Sequence, residues 1–212
     1  MVGGVCGQVA RTSVVVEGGR DGSRESRADL PAEIGRRPGN QGKGHAWLAG
    51  FRAALADPAI GAVCALDADG QHDPEEIPRL YAAFKESGGD LVIGSRVFDG
   101  VDVPWRSRFG NKVTVTIAAL LLGRRLPDTQ SGFRLLSRPF AERVLESVSG
   151  GRYETEMEII VTAVREGWTT LPVPIRTIYE AENASSHFRK FHDSFLIYTR
   201  LLRTAVRARR QR

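Results

Sequence analysis

Residues 61–74, GAVCALDADGQHDP, narrow the choice of fold more than any other part of this 212-residue chain. A nearly continuous apolar run of strand length suits a buried strand. It leads straight into two aspartates one residue apart, Asp67 and Asp69, and then a glycine. A helix start follows, with Asp73 at the N-cap, Pro74 at the first helical position and Glu76 at the capping-box position. A strand that ends in acids and turns into a helix is the building unit of an α/β layer fold. Ligands of open α/β sheets bind beyond the carboxyl ends of the strands. Two carboxylates there both reach a hard divalent cation, Mg2+ or Mn2+, which takes oxygen ligands and borrows the rest from substrate phosphates. Read alone, the same spacing also describes an Asp- and Gly-rich turn.

The rest of the chain repeats the alternation. Further strands are expected at 12–17, 90–95 and 132–137. A segment at 171–179 carries Pro172 and Pro174 and is expected at a sheet edge. Helical spacing joins Trp47, Phe51, Ala54 and Leu55, and then Ile77, Leu80, Tyr81 and Phe84. It also joins Val113, Ile117, Leu120 and Leu121, and finally Met157, Ile160, Val161 and Val164, a helix closed by Gly167. Hydrophobic residues at 42% and charged residues at 26% exclude disordered and fibrous classes. Cys6 and Cys64 make no ligand-spaced cluster, and Cys64 reads as a small core residue. No repeat or long linker divides the chain, so one domain is expected over residues 1–190, followed by a basic amphipathic helix at 191–212.

Three further motifs carry chemistry. Asn40-Gln41-Gly42-Lys43-Gly44 opens the helix of Trp47, and a lysine beside free N–H groups at a helix N-terminus is a natural phosphate or nucleotide contact. The glycine and Ser/Thr spacing of a P-loop is absent, and an ordinary glycine-rich loop is the alternative. Residues 128–134, DTQSGFR, set polar residues before a strand that carries Arg134, and taken alone they describe a turn followed by a solvated arginine. Glu154 and Glu156 begin a helix, where acids commonly do no more than complement the helix dipole. Arg96, Arg106, Arg108, Arg176, Arg189 and Lys190 supply cations of the kind a diphosphate and a second phosphate require.

The net charge of +5 is a property of the tail. Residues 187–212 carry +7 and the remainder −2. Phe191, Phe195, Tyr198, Leu201 and Leu202 share a helical face among arginines, a pattern that suits an anionic membrane surface or a terminal helix packed on its own domain. No aromatic-basic module accompanies the charge, which argues against nucleic acid. No run approaches the ~18 apolar residues of a membrane span, and no signal peptide is evident. A cytoplasmic location is expected, with the tail able to rest on the inner face of the membrane.

In order along the chain, GNQGKG, LDADGQHDPEEI, IGSRV, RFGNK, DTQSGFRLLS, ETEM and PIRTIYEAENASSHFRKFHDS resemble family 2 glycosyltransferases of the GT-A fold. The resemblance is strongest to the dolichyl- and polyprenyl-phosphate mannosyl- or glucosyltransferases. It implies a nucleotide-sugar-binding α/β sandwich with a mostly parallel central sheet flanked by helices. It implies an inverting hexosyltransferase that moves a sugar from a GDP-mannose or UDP-glucose type of donor to a polyprenyl phosphate. Asp67, Asp69 and Gln71 would hold Mg2+ or Mn2+. Glu17, Asn40, Gly42, Lys43 and Arg96 would lie by the nucleotide-sugar. Arg108, Arg134, Arg176, Arg189 and Lys190 would face the acceptor phosphate, with Asp69, Arg134 and Glu156 at the reacting centre. A phosphate acceptor is mostly dianionic at neutral pH and needs cations rather than a base. A sugar-hydroxyl acceptor, the alternative, needs a carboxylate, Glu156 first and Glu154 second.

The family's usual first strand, ending Pro-x-Tyr-Asn-Glu, and the helix after it have no counterpart here. Its second strand usually ends Val-Asp-Asp-Gly-Ser, where this chain reads Val16-Glu17-Gly18-Gly19-Arg20-Asp21-Gly22-Ser23. The resemblance is therefore to an N-terminally truncated domain. A wrongly assigned start, a decayed homologue, or partial replacement by residues 1–11 would each produce it. An exposed sheet edge, and marginal stability or self-association, are expected. The remaining alternative is a non-catalytic remnant that binds membrane or a partner.

Overall fold

A computed structural model describes residues 41–67, 71–96, 128, 131–151 and 154–176, together with the backbone of two strands at 13–17 and 33–37. Those two strands, β1 (Ser13–Glu17) and β2 (Glu33–Arg37), pair in parallel. The other elements are α1 (Lys43–Leu55), β3 (Ala62–Ala65), α2 (Ile77–Ser87), β4 (Leu91–Arg96), β5 (Arg134–Ser137), α3 (Arg138–Ser147), α4 (Glu154–Glu166) and β6 (Thr170–Ile175).

β3 to β6 form one sheet in the order β3-β5-β4-β6. β5 runs antiparallel to both its neighbours, and β4 and β6 are parallel. Three of the four strands thus share a direction, and β5 alone opposes them. β6 lies at the edge, where Pro172 and Pro174 remove two ladder donors at little cost.

Strand alternation sends side chains to two apolar clusters. Val63, Ala65, Leu91, Ile93 and Leu136 face α1, α3 and α4, where Leu48, Phe51, Phe140, Val144, Ile159 and Ile160 complete a core. Val92, Leu135 and Val173 face the other way, onto Ile77 and Leu80 of α2. Helices therefore cover both faces of the sheet. α1 also lies against β1, so this one helix touches both sheets.

The helix starts follow the expected chemistry with one exception. Asp73 accepts a hydrogen bond from the Glu75 N–H at 3.0 Å. A 3-10 turn at Pro74–Glu76 then leads into α2. Glu76 does not reach back to close a capping box. Its Oε1 accepts from the Arg176 N–H at 3.2 Å and thereby ties β6 to α2. α3, unforeseen in the sequence, is capped by the Ser137 hydroxyl, which accepts from the Phe140 N–H, and has Pro139 in its first turn. The expected helices around 113–121 and 191–212 lie outside the described residues. Among those described, no helix is long and apolar enough to cross a membrane.

Candidate functional site

The site forms at the edge of the sheet where β3 and β4 end and β5 begins. Gly42, with φ 98°, turns the chain into α1 and makes Lys43 its first residue. The Gly44 N–H donates to the Gly151 carbonyl at 2.8 Å. A Cβ at position 44 would collide with the Thr155 hydroxyl. Only glycine lets the N-termini of α1 and α4 meet this closely, and that contact brings Lys43 and Glu156 together.

Asp67 follows β3 by two residues, and the Lys43 Nζ lies 2.8 Å from its Oδ2. Gly132 makes room for it, because a Cβ there would overlap the Asp67 carboxylate. The same Lys43 ammonium is in ion-pair contact with Glu156 Oε1. Glu156 is 2% exposed, and its Oε2 has no hydrogen-bond donor among the described residues. Arg134, wholly buried at the start of β5, donates to the Ser131 carbonyl at 2.9 Å and the Glu156 carbonyl at 2.6 Å. The Trp47 ring, one turn along α1, has the Lys43 Nζ 5.6 Å and the Arg134 Cζ 5.8 Å from its centroid.

Electrostatics separates the two acids. Burial pushes the Glu156 carboxyl above its ordinary value, against the pull of Lys43. Burial acts the same way on Asp67, but Lys43, His72 and Arg134 outweigh it and hold Asp67 below the usual carboxylate range. Burial alone would lower the Lys43 ammonium, yet Glu156 and Asp67 hold it well above its normal value. Burial lowers the Arg134 guanidinium to about 10, so it remains charged at neutral pH.

The other expected residues fall in different surroundings. Arg96 is bound by Asp128, with Nε to Oδ2 at 2.7 Å and Nη2 to Oδ1 at 3.1 Å, and its own N–H adds a third bond at 3.2 Å. Gln71 is half-buried just ahead of His72, whose ring packs 5.6 Å from Phe133. Arg176 follows β6 directly, one residue beyond the Ile175 that pairs with Arg96, and its side chain is 85% exposed and 4.0 Å from Glu76. Asp69, Asn40, Arg108, Arg189 and Lys190, and the side chain of Glu17, lie outside the described residues. Among the described residues no group of three or more His, Cys, Asp or Glu is placed to hold a metal. Even so, the donors at Asp67 and at the unpartnered Glu156 Oε2 are carboxylate oxygens, which suit a hard divalent cation.

Sequence reasoning gave no role to Asp128, Gly132 or Trp47. Asp128 and Gly132 sit inside a motif it had marked, but their function depends on contacts with residues 32 and 65 positions away in the chain. Trp47 reads by periodicity as a core residue, which it partly is.

A layered α/β sheet with its acids and a lysine gathered at the strands' carboxyl edge is the architecture of the GT-A glycosyltransferases. Glucosyl-3-phosphoglycerate synthase from Mycobacterium tuberculosis, solved with Mn2+, uridine diphosphate and phosphoglyceric acid, superposes with a TM-score of 0.66 at 16% identity over 93% of this chain and 68% of that one. The chain belongs to glycosyl transferase family 2, whose sequence profile matches residues 12–145. It is 33% identical to the polyprenol monophosphomannose synthase of Mycolicibacterium smegmatis over 76% of its length. It is 32% identical to the UDP-N-acetylglucosamine–dolichyl-phosphate N-acetylglucosaminyltransferase of Methanococcus voltae over 77% of its length. It spans 64% and 65% of those two relatives.

Proposed function

We propose that this chain transfers a hexose from a nucleoside diphosphate sugar to a polyprenyl phosphate, with inversion at the anomeric carbon. The observation that carries the reading is the convergence of Asp67, Lys43 and Glu156 at the carboxyl edge of β3. Two relatives named for polyprenol- and dolichyl-phosphate substrates support the acceptor class. Asp67, with Asp69 and Gln71, would hold Mg2+ or Mn2+, which when bound neutralises charge on the leaving diphosphate.

The chain's own residues do the rest. Lys43, at the N-terminus of α1, meets the donor diphosphate with an ammonium that stays charged throughout the neutral range. Gly42 lets the nucleotide approach the backbone closely, and the family resemblance would set Asn40 beside the nucleotide and Glu17 beside its base and ribose. Arg134 is buried against backbone carbonyls, so we assign it a positioning role: it fixes α4 through the Glu156 carbonyl and adds positive potential at the acids. Arg96, held by Asp128, orients the β4 end of the site in the same way. The acceptor phosphate falls to Arg108, Arg176, Arg189 and Lys190. Being dianionic, it attacks without a base and needs only alignment.

The raised Glu156 carboxyl favours a second reading, a hydroxyl acceptor whose proton Glu156 takes. The test is transfer of radiolabelled sugar from GDP-mannose, UDP-glucose and UDP-N-acetylglucosamine to a short polyprenyl phosphate and to a glycolipid alcohol, with Mg2+ or Mn2+. Label in the lipid phosphate, lost in Asp67→Asn and kept in Glu156→Gln, is the expected result. Transfer only to the alcohol, and only with Glu156 intact, would replace this reading with the second.

A further inference from the structure

We propose that Lys43 is the built-in counter-cation of the acid pair Asp67 and Glu156, and that a divalent ion enters this site by exchange with its ammonium. The inference rests on the metal-dependent reading above and goes beyond it by assigning what holds the acids together beforehand.

Three observations lead to it. First, the two carboxylates come from separate elements, the loop after β3 and the first turn of α4, and they converge on one ammonium. Two acids brought this close each disfavour the other's charge, and a shared cation removes that conflict. Second, the Glu156 Oε2 is buried and has no hydrogen-bond donor among the described residues, so the ammonium leaves part of the acid pair's coordinating capacity unused. A dication can use those lone pairs, but it would then stand close to an ammonium 2.8 Å from the Asp67 Oδ2, and the two cations repel. Third, the backbone of Lys43 is fixed while its side chain is long. Gly42 and the Gly44–Gly151 bond pin the start of α1, so the ammonium can swing away from the acids while its backbone stays in place.

The exchange links metal to nucleotide. Without nucleotide, an incoming ion has to displace Lys43 from both acids, so metal affinity is held down. With a diphosphate present, the displaced ammonium gains a new anionic partner. Metal and nucleotide then strengthen each other's binding by the same factor.

The test is Mn2+ binding by electron paramagnetic resonance to the wild-type chain, Lys43→Met and Asp67→Asn, with and without UDP or GDP. Without nucleotide, Lys43→Met is expected to bind Mn2+ about tenfold more tightly than wild type, a typical coupling magnitude. Nucleotide should then improve its Mn2+ affinity less than it improves that of wild type. Equal or weaker binding by Lys43→Met overturns the exchange. If wild type binds Mn2+ and Asp67→Asn does not, that failure leaves the metal reading standing. No Mn2+ bound to wild type or Lys43→Met, with or without nucleotide, overturns both.

A second measurement needs no variant. Acetylation of the wild-type lysines by an activated ester, followed by peptide mass spectrometry, should show Lys43 several-fold more reactive when Mg2+ is added. Lys85, exposed on α2, should not change. Unchanged or slower labelling of Lys43 at saturating Mg2+ overturns the proposal even if Lys43→Met fails to fold.

Discussion

Glu156 occupies a costly position. Its carboxylate is buried, Lys43 neutralises one oxygen, and the other has no donor among the described residues. Sites arranged for function often carry such a load, and removing it stabilises the fold. Glu156→Gln in metal-free protein is expected to be more stable than wild type at pH 7 to 8. The sign with pH follows from the raised carboxyl. As pH falls through its folded value, the native state takes up a proton that the unfolded chain, with a glutamate pKa of ~4.3, does not yet bind. Wild type therefore gains on the variant, and the difference closes towards pH ~4.3. Urea denaturation at pH 8, 6 and 5 with a chelator measures it. A variant less stable than wild type at every pH would mean that the Lys43 ion pair outweighs burial. At this scale the sequence marks Asp67, Lys43 and Glu156 as special, because each sits in a motif at an element boundary. It does not show that they touch one another, because residues 43, 67 and 156 meet only through the packing of α1, β3 and α4.

Arg138 shows how one side chain can set the end of an element far away in the chain. Its guanidinium donates to the Leu55 carbonyl at 2.8 Å, the Asp57 carbonyl at 2.8 Å and the Ile60 carbonyl at 2.9 Å. These are the last carbonyls of α1 and the turn that leads into β3, groups a helix end otherwise leaves unsatisfied. Arg138→Met leaves all three without this donor and is expected to cost about 2 kcal/mol. Arg138→Lys should recover only part of that, since an ammonium cannot span three acceptors as a planar fork does. Denaturant midpoints of the two variants measure both effects, and a loss near zero for Arg138→Met would show that water replaces the guanidinium. The sequence signals for α1, α2 and α4 are strong because each has an apolar face and a marked start or stop. α3 carries a cap as well, Ser137 followed by Pro139, but it abuts β5 without a loop and its apolar face spans only ten residues. Glu76 illustrates the reverse case, in which the expected capping-box bond gives way to a tertiary bond to β6.

For the whole molecule, the strand positions are legible from apolar runs and punctuation, but their order is not. Nothing in RLLS shows that β5 enters between β3 and β4 and opposes both. That order places Asp67, Arg96 and the start of β5 on one edge, so the site depends on topology as much as on motif. A ligand spanning that edge stabilises the folded chain as a unit. At ~100 times its dissociation constant it adds about 2.7 kcal/mol, a shift of about 5 to 11 degrees in melting temperature for a chain of this size. With Mn2+ present, either UDP or GDP is expected to raise the melting temperature and the other to do so less. Thermal shift with each nucleotide measures this and names the base. No shift with either would count against a nucleotide-diphosphate site.

The central position of β5 has a consequence for how the chain is made. β3 and β4 leave the ribosome well before their shared partner, β3 by roughly seventy residues, or about 4 to 14 seconds at ~5–20 residues per second. During that interval AVCA and LVIGSR have apolar side chains and unpaired backbone groups but no β5 between them. The nascent chain is thus most exposed to mispairing just before Arg134 emerges, and the joining of β3 to β4 awaits a strand of four residues.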